Sequence, residues 1–114
     1  MLITLKKNYE FSRVFKTGKK QYGKFLSLYY KKNPLPFNRY GFTSLRHFGN
    51  SVKRNRMRRL LRESARALEA EMKTGYDIIF MGCRLEKETS GTEIQTEMRT
   101  LLEKAGLMQQ AGDS

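Results

Sequence analysis

Between Arg46 and Arg66 the chain sets eight cations against a single acid, Glu63, in a segment that repeats like a helix. At about 100° per residue, Met57, Leu60, Leu61, Ser64 and Leu68 gather on one side of the stretch Asn50–Met72. Asn55, Arg58, Arg59, Arg62 and Arg66 gather on the other, with Arg54 on the border and Lys53 and Arg56 near the start. Such a segment folds as a helix buried along its apolar side and strongly cationic along the other. Arg54, Arg58, Arg62 and Arg66 stand four residues apart, so neighbours repel by roughly 0.2–0.5 kcal/mol per pair. A solvated helix face ordinarily interleaves signs; one that keeps this repulsion asks for a polyanion. Seven of the eight cations are arginine, whose planar guanidinium holds two phosphate oxygens at once and stacks on bases. Asn55 is suited to a base edge or phosphate, and equally to a plain surface position. The helix start, Gly49-Asn50-Ser51, offers N–H groups to an anion, although Asn50 or Ser51 capping the helix explains those residues as well.

The charge is unevenly spread. The net charge of the 114 residues is +12, with +9 in residues 1–45, +7 in 46–66 and −4 in 67–114. The basic surface therefore belongs to the first 66 residues, and the last third is an acidic scaffold. This length implies one domain, 1–114, and residues 106–114 read as a frayed tail. Cys83 is the only cysteine, which excludes intramolecular disulfides and a cysteine-based zinc site. Met1 to Lys7 is too short and charged for a signal peptide, and no apolar run approaches the ~20 residues of a membrane span. A cytoplasmic protein is expected.

Along the chain, Asn8 can cap a helix from Tyr9 to Thr17 with Gly18 as its stop. Lys24–Tyr30 is rich in strand formers, Asn33-Pro34 and Pro36 mark a turn, and Arg39 to about Leu45 reads as a second strand. Their closeness suggests an antiparallel pair. The long helix runs to about Met72, Gly75 closes it, and Tyr76–Met81 is a short apolar strand. Ser90-Gly91-Thr92-Glu93 resembles a capping box and opens a last helix with Ile94, Met98, Leu101, Leu102 and Ala105 on one face. The order is α-β-β-α-β-α with helices on a small mixed sheet. One additional strand can be accommodated near residues 43–48.

Phe11 and Phe15 stand one helical turn apart among Arg13, Lys16, Lys19 and Lys20, and Tyr29 lies on a strand with two rather apolar faces. A sheet covered on one side alternates more cleanly. Aromatics set among cations suit stacked single-stranded bases; phenylalanines at this spacing equally suit a core. Catalytic groups are scarce. Asp77 and Asp113 are the only aspartates and His47 the only histidine. Neither the carboxylate cluster of a two-metal nuclease nor a pair of acid–base histidines is present in the sequence, so no residue of the protein is expected to be catalytic and none to ligate a metal.

The run Phe48-Gly49-Asn50-Ser51-Val52-Lys53-Arg54-Asn55-Arg56-Met57-Arg58-Arg59-Leu60-Leu61-Arg62-Glu63 resembles the signature of bacterial ribonuclease P proteins. Lys7-Asn8-x-x-Phe11-x-x-Val14-Phe15-x-x-Gly18 resembles the family's first helix, Arg39-Tyr40-Gly41-Phe42 its second strand, and Gly75-Tyr76-Asp77-Ile78-Ile79 its final strand. The chain departs where the family often has Ser and two Lys, reading Leu45, Arg46 and His47, and where an Ala-Arg pair is common, reading Gly82 and Cys83. The resemblance implies an α+β two-layer sandwich like the second domain of ribosomal protein S5, with the arginine-rich helix in a left-handed crossover. It implies binding of the ribonuclease P RNA subunit through Lys53, Arg54, Asn55, Arg56, Arg58, Arg59, Arg62 and Arg66. It implies a cleft for the 5′ leader of precursor tRNA, with Phe11, Phe15, Tyr29, Thr43, Arg46 and His47 in it. No cofactor is expected on the protein alone; Mg²⁺ is expected on the RNA of the holoenzyme. From the residues alone, a structural or ribosomal RNA-binding protein without a leader cleft is the second reading. A transcription factor is the third, and duplex DNA is not an expected partner because no short recognition helix follows a tight turn.

Overall fold

The computed structural model describes residues 2–46 and 49–109. Helix α1 (Asn8–Thr17) is followed by strands β1 (Lys19–Tyr22), β2 (Leu26–Lys32) and β3 (Arg39–Ser44). Helix α2 (Ser51–Leu68) runs on into a 3-10 turn (Glu69–Glu71), then come β4 (Tyr76–Gly82) and α3 (Gly91–Lys104). The strands lie in the order β1-β2-β4-β3, with β3 and β4 parallel and the other neighbours antiparallel. The expected α+β arrangement around a small mixed sheet is present, and the sheet has four strands. The additional strand is β1 rather than one near 43–48: β3 stops at Ser44, Leu45 and Arg46 are not strand, and His47 and Phe48 lie outside the described residues. Lys-Lys-Gln-Tyr has no apolar alternation to announce a strand, and as an edge strand it needs none.

β4 takes the centre because Ile78, Ile79 and Phe80 are consecutive and fully buried, a pattern that only a strand covered on both faces satisfies. The expected β2–β3 pair does not form, since β4 lies between them. The segment 33–38 wraps the start of β4 instead of closing a hairpin. The Asn33 N–H donates to the Gly75 carbonyl and its Nδ2 to Asp77 Oδ1, both at 2.8 Å. Asn38 Oδ1 accepts from the Tyr76 N–H at 2.9 Å.

Helices α2 and α3 cover one face, where Met57, Leu61, Leu68, Ile94, Met98 and Leu102 meet Leu26, Leu28, Tyr40, Ile78 and Phe80. All five positions of the expected apolar face of α2 are buried. On the opposite face α1 sets Val14 against Leu5 and Ile79, with Phe11 and Tyr29 half-buried beside them. Asn50 caps α2 by accepting from the Lys53 N–H, and Ser90 and Glu93 form the anticipated capping box. Asn8, expected as a cap, lies inside α1. Glu10 closes the start of the helix instead, with Oε1 accepting from the Lys6 and Lys7 N–H groups at 2.8 and 2.7 Å. Fraying from 106 onward does not hold for residues 106–109. Gly106 turns the chain at φ 75°, Leu107 and Met108 are buried, and Lys73 N–H donates to the Leu107 carbonyl at 2.7 Å. Residues 110–114 lie outside the described residues. No described helix is long and apolar enough to cross a membrane.

Candidate nucleic-acid interface

On the face that α1 only partly covers, strand register aligns Tyr22, Ser27, Met81 and Thr43 in one row across the sheet. Lys20, Tyr29, Ile79 and Gly41 form the next. Gly41 is what lets α1 lie down here, because a Cβ at this position would sit 2.4 Å from Phe11 Cε1. Phe11 is thereby half-buried against the sheet. Phe15, one turn further along, keeps 39% of its surface exposed and meets Tyr29 edge-on, centroids 4.8 Å apart. Tyr22, 62% exposed, meets the other side of Tyr29 at 6.4 Å, again edge-on. Three rings thus form a continuous wall, and the two at its ends are open to solvent. The two phenylalanines differ in exposure: Phe11 packs against the sheet and Phe15 projects from it.

This arrangement explains the two apolar faces of β2. Leu26 and Leu28 are fully buried under α2 and α3, while Tyr29 faces the partly open side. Sequence reasoning misses Tyr22 because it misses β1; an aromatic following two lysines is the available signal. Lys20 Nζ stands 5.7 Å from the Tyr22 ring centroid, and its hydrogen bond to Tyr22 raises its pKa. Burial, and then the neighbouring Tyr22, pushes the Tyr29 hydroxyl up, so it stays neutral at physiological pH. Thr43 is half-buried at the far end of its row and Arg46 is exposed beyond β3. His47 lies outside the described residues. The Cys83 thiol is 3.4 Å from Ser27 Oγ at the margin of the same surface.

The cationic helix divides into two sets. Arg59, Arg62 and Arg66 are exposed; Arg62 lies 5.5 Å from the Phe42 ring centroid, and Arg58 donates to Asn55 Oδ1. The Arg59–Glu63 pair is long, at 4.0 Å, and solvated, so it contributes next to nothing. The other set is turned toward the protein. Arg54 donates to the Gly49 carbonyl at 2.8 Å, and Arg56 to the Thr89 carbonyl at 2.6 Å, away from the Arg58–Arg66 stripe. Lys53 is exposed in the first turn, where Asn50 already takes its N–H.

The two surfaces meet at one end of the sheet. Gly82 ends β4 beside the Met81–Thr43 row, and a Cβ on Gly82 would lie 2.3 Å from Met57 Cγ in α2. The start of the cationic helix is therefore docked where the aromatic row opens. On the cleft face, Asp77 and Glu10 are engaged by Arg39. Arg39 donates to both Asp77 oxygens and to Glu10 Oε2, each at 2.8 Å. Burial works to raise the Asp77 carboxyl, but the Arg39 and Asn33 bonds more than offset it and hold it below its ordinary range. The backbone bonds from Lys7 and Lys6 do the same for Glu10. Among the described residues no three His, Cys, Asp or Glu side chains converge as a metal site would require.

Residues 2–106 match the family model described as Ribonuclease P. The chain is 42% identical over 106 residues to the ribonuclease P protein component of Thermoanaerobacter sp. (strain X514), covering 93% of this chain and 91% of that one. It is 41% identical over 108 residues to that of Natranaerobius thermophilus, covering 95% and 94%. Among solved structures, the RNase P protein of Staphylococcus aureus superposes with a TM-score of 0.82 at 25% identity, over 95% of this chain and 99% of that one. The RNase P protein from Thermotoga maritima shares the fold, with a TM-score of 0.77 at 23% identity over 89% and 96%.

Proposed function

Because the chain belongs to the ribonuclease P protein component family, we propose that it binds the ribonuclease P RNA along α2 and the single-stranded 5′ leader of precursor tRNA in the α1–sheet cleft. The observation that carries this reading is the wall Phe15–Tyr29–Tyr22, open to solvent and joined at the end of the sheet to an arginine helix. A protein that only coats folded RNA has no use for exposed rings in a row; single-stranded bases stack on them. Arg58, Arg59, Arg62 and Arg66 supply the phosphate contacts to the RNA partner. Arg54, Lys53 and Asn55 assist at the start of the helix, and Arg56 contributes by fixing the loop before α3. Phe11 floors the cleft, Tyr22 and Lys20 extend it, and Thr43 and Arg46 continue it toward α2; His47 keeps only the leader-binding role that the family resemblance implies.

Hydrolysis is assigned to the RNA partner and the Mg²⁺ it carries. In support, the cleft-face acids Glu10 and Asp77 are held by Arg39, and α2 carries a single acid, Glu63. The protein's contribution is counter-charge and substrate positioning, which lowers the divalent ion concentration that two docked polyanions demand. Sequencing the RNA that co-purifies with the protein tests the assignment: ribonuclease P RNA is expected, and ribosomal RNA alone would favour a structural RNA-binding role.

A further inference from the structure

A second concavity, of about 370 Å³, lies where the C-terminal ends of α1 and α3 approach the sheet. Lys19 pairs with Tyr30 and Lys32 with Tyr76, and both tyrosines pack against the core under α2 and α3. The two tyrosines face away from the aromatic wall, while Thr17, Gly18 and Lys31 close the pocket from the α1 side. The two rings stand 6.5 Å apart, edge to face, and half-buried. Among the described residues no acid lines the pocket, and neither Lys19 nor Lys32 is in a salt bridge. Gly18 shapes it: a Cβ there would lie 2.6 Å from the Tyr30 and Val14 carbonyl oxygens, so only glycine brings the end of α1 this close to β2.

The surroundings specify the parts of a ligand. Two helix C-termini present the negative ends of their dipoles to the interior, which favours hydrogen-bond donors there and disfavours a bare phosphate. The lysines on the strands favour a phosphate at the rim, and the rings offer a stacking face. A nucleotide has all three: amino donors, a π-face and a phosphate. We propose that this pocket takes one nucleotide of single-stranded RNA, with its base against Tyr30 and Tyr76 and its phosphate toward Lys19 and Lys32. The inference rests on the RNA-binding function proposed for the chain. β1 carries Lys20 and Tyr22 on the cleft face and Lys19 on the pocket face, so a leader passing over this edge strand is led from one to the other. An unpaired stretch of the RNA partner offers the same chemistry.

Titrating the full chain with adenosine 5′-monophosphate and following it by NMR tests the site. Saturable shifts are expected at Tyr30, Tyr76 and Ala105, and they vanish in the double variant Lys19→Glu/Lys32→Glu, whose two positions are exposed and leave folding intact. Inorganic phosphate should move the lysines and not the rings. Shifts confined to Phe15, Tyr22 and Tyr29, or ring shifts that survive the charge reversal, overturn the site. In the holoenzyme, a loss of at least about fivefold, the low end for one base stack, identifies the source. If it is confined to precursor tRNA with long leaders, the leader occupies the pocket; if it appears in affinity for the catalytic RNA without tRNA, that RNA does. No loss in either, while Phe15→Ala still weakens precursor binding, removes the pocket and leaves the cleft standing. No loss from Phe15→Ala as well overturns the reading on which the pocket rests.

Discussion

The Phe15 ring stands edge-on to Tyr29 at a centroid distance of 4.8 Å, joining a helix to a sheet through two aromatic side chains, of which Phe15 keeps 39% of its surface exposed. A pair made only for stability would be covered. Phe15→Ala is expected to weaken holoenzyme binding of precursor tRNA by ~1–3 kcal/mol, the value of one base stack. Mature tRNA should bind as before, while the thermal midpoint should fall modestly, because the part of Phe15 that is not exposed packs on Tyr29. Equal losses for both tRNAs would make the ring a packing residue.

Arg58→Ala/Arg62→Ala is expected to weaken association with the ribonuclease P RNA and to flatten its salt dependence. The logarithmic slope should fall by about 0.7–0.9 for each phosphate that the variant no longer neutralises. Arg56→Ala should behave differently. Its guanidinium bonds the Thr89 and Glu86 carbonyls, so its loss should lower stability more than it alters the salt slope. Titrations at several salt concentrations, beside urea unfolding, separate the two. An unchanged slope in a folded Arg58/Arg62 variant would remove the phosphate role.

Much of this is readable from the sequence because it is periodic. The apolar face of α2, the capping box at Ser90 and the buried run in β4 each follow from a spacing that one element imposes on itself. What is not readable depends on partners far along the chain. Tyr22 acquires its place only when β1 pairs with β2, and nothing in Lys-Lys-Gln-Tyr announces a strand. The separation of β2 from β3 depends on Asn33 and Asn38 bonding the start of β4, a contact between segments about 40 residues apart in sequence. The division of the arginines between solvent-facing and protein-facing is hidden for the same reason, since the carbonyls that Arg56 meets belong to a later loop.

Gly82→Ala is expected to cost about 1–3 kcal/mol, because its Cβ enters the space of Met57 Cγ and overpacking a dense core strains it. Adding Met57→Ala should return part of the loss, so the double variant is less destabilised than the two single changes added together. Urea unfolding of the four proteins measures this. Strict additivity would mean that α2 does not rest on the end of β4.

Arg39→Met should destabilise the protein by roughly 2–3 kcal/mol near neutral pH, less than for a fully buried pair because the arginine side chain is 21% exposed. The pH dependence is specific. Glu10 and Asp77 both titrate below their ordinary values of 4.5 and 3.8. Their contribution is therefore complete above pH 4.5 and fades as the pH falls through the lower folded values. The gap between wild type and Arg39→Met should be widest above that pH and narrow below 3.8. A gap that stays constant down to strongly acidic pH would show that the ion triad is not its source.

The proposed division of labour gives binding to the protein and chemistry to the RNA. It is tested most directly by measuring cleavage of a leader-bearing precursor tRNA by ribonuclease P RNA at low Mg²⁺, with this protein, without it, and with the protein alone. No cleavage is expected from the protein alone at any Mg²⁺ concentration, little from the RNA alone at low Mg²⁺, and efficient 5′ cleavage from the two together. Cleavage by the protein alone, or no difference when it is added to the RNA, would contradict that division.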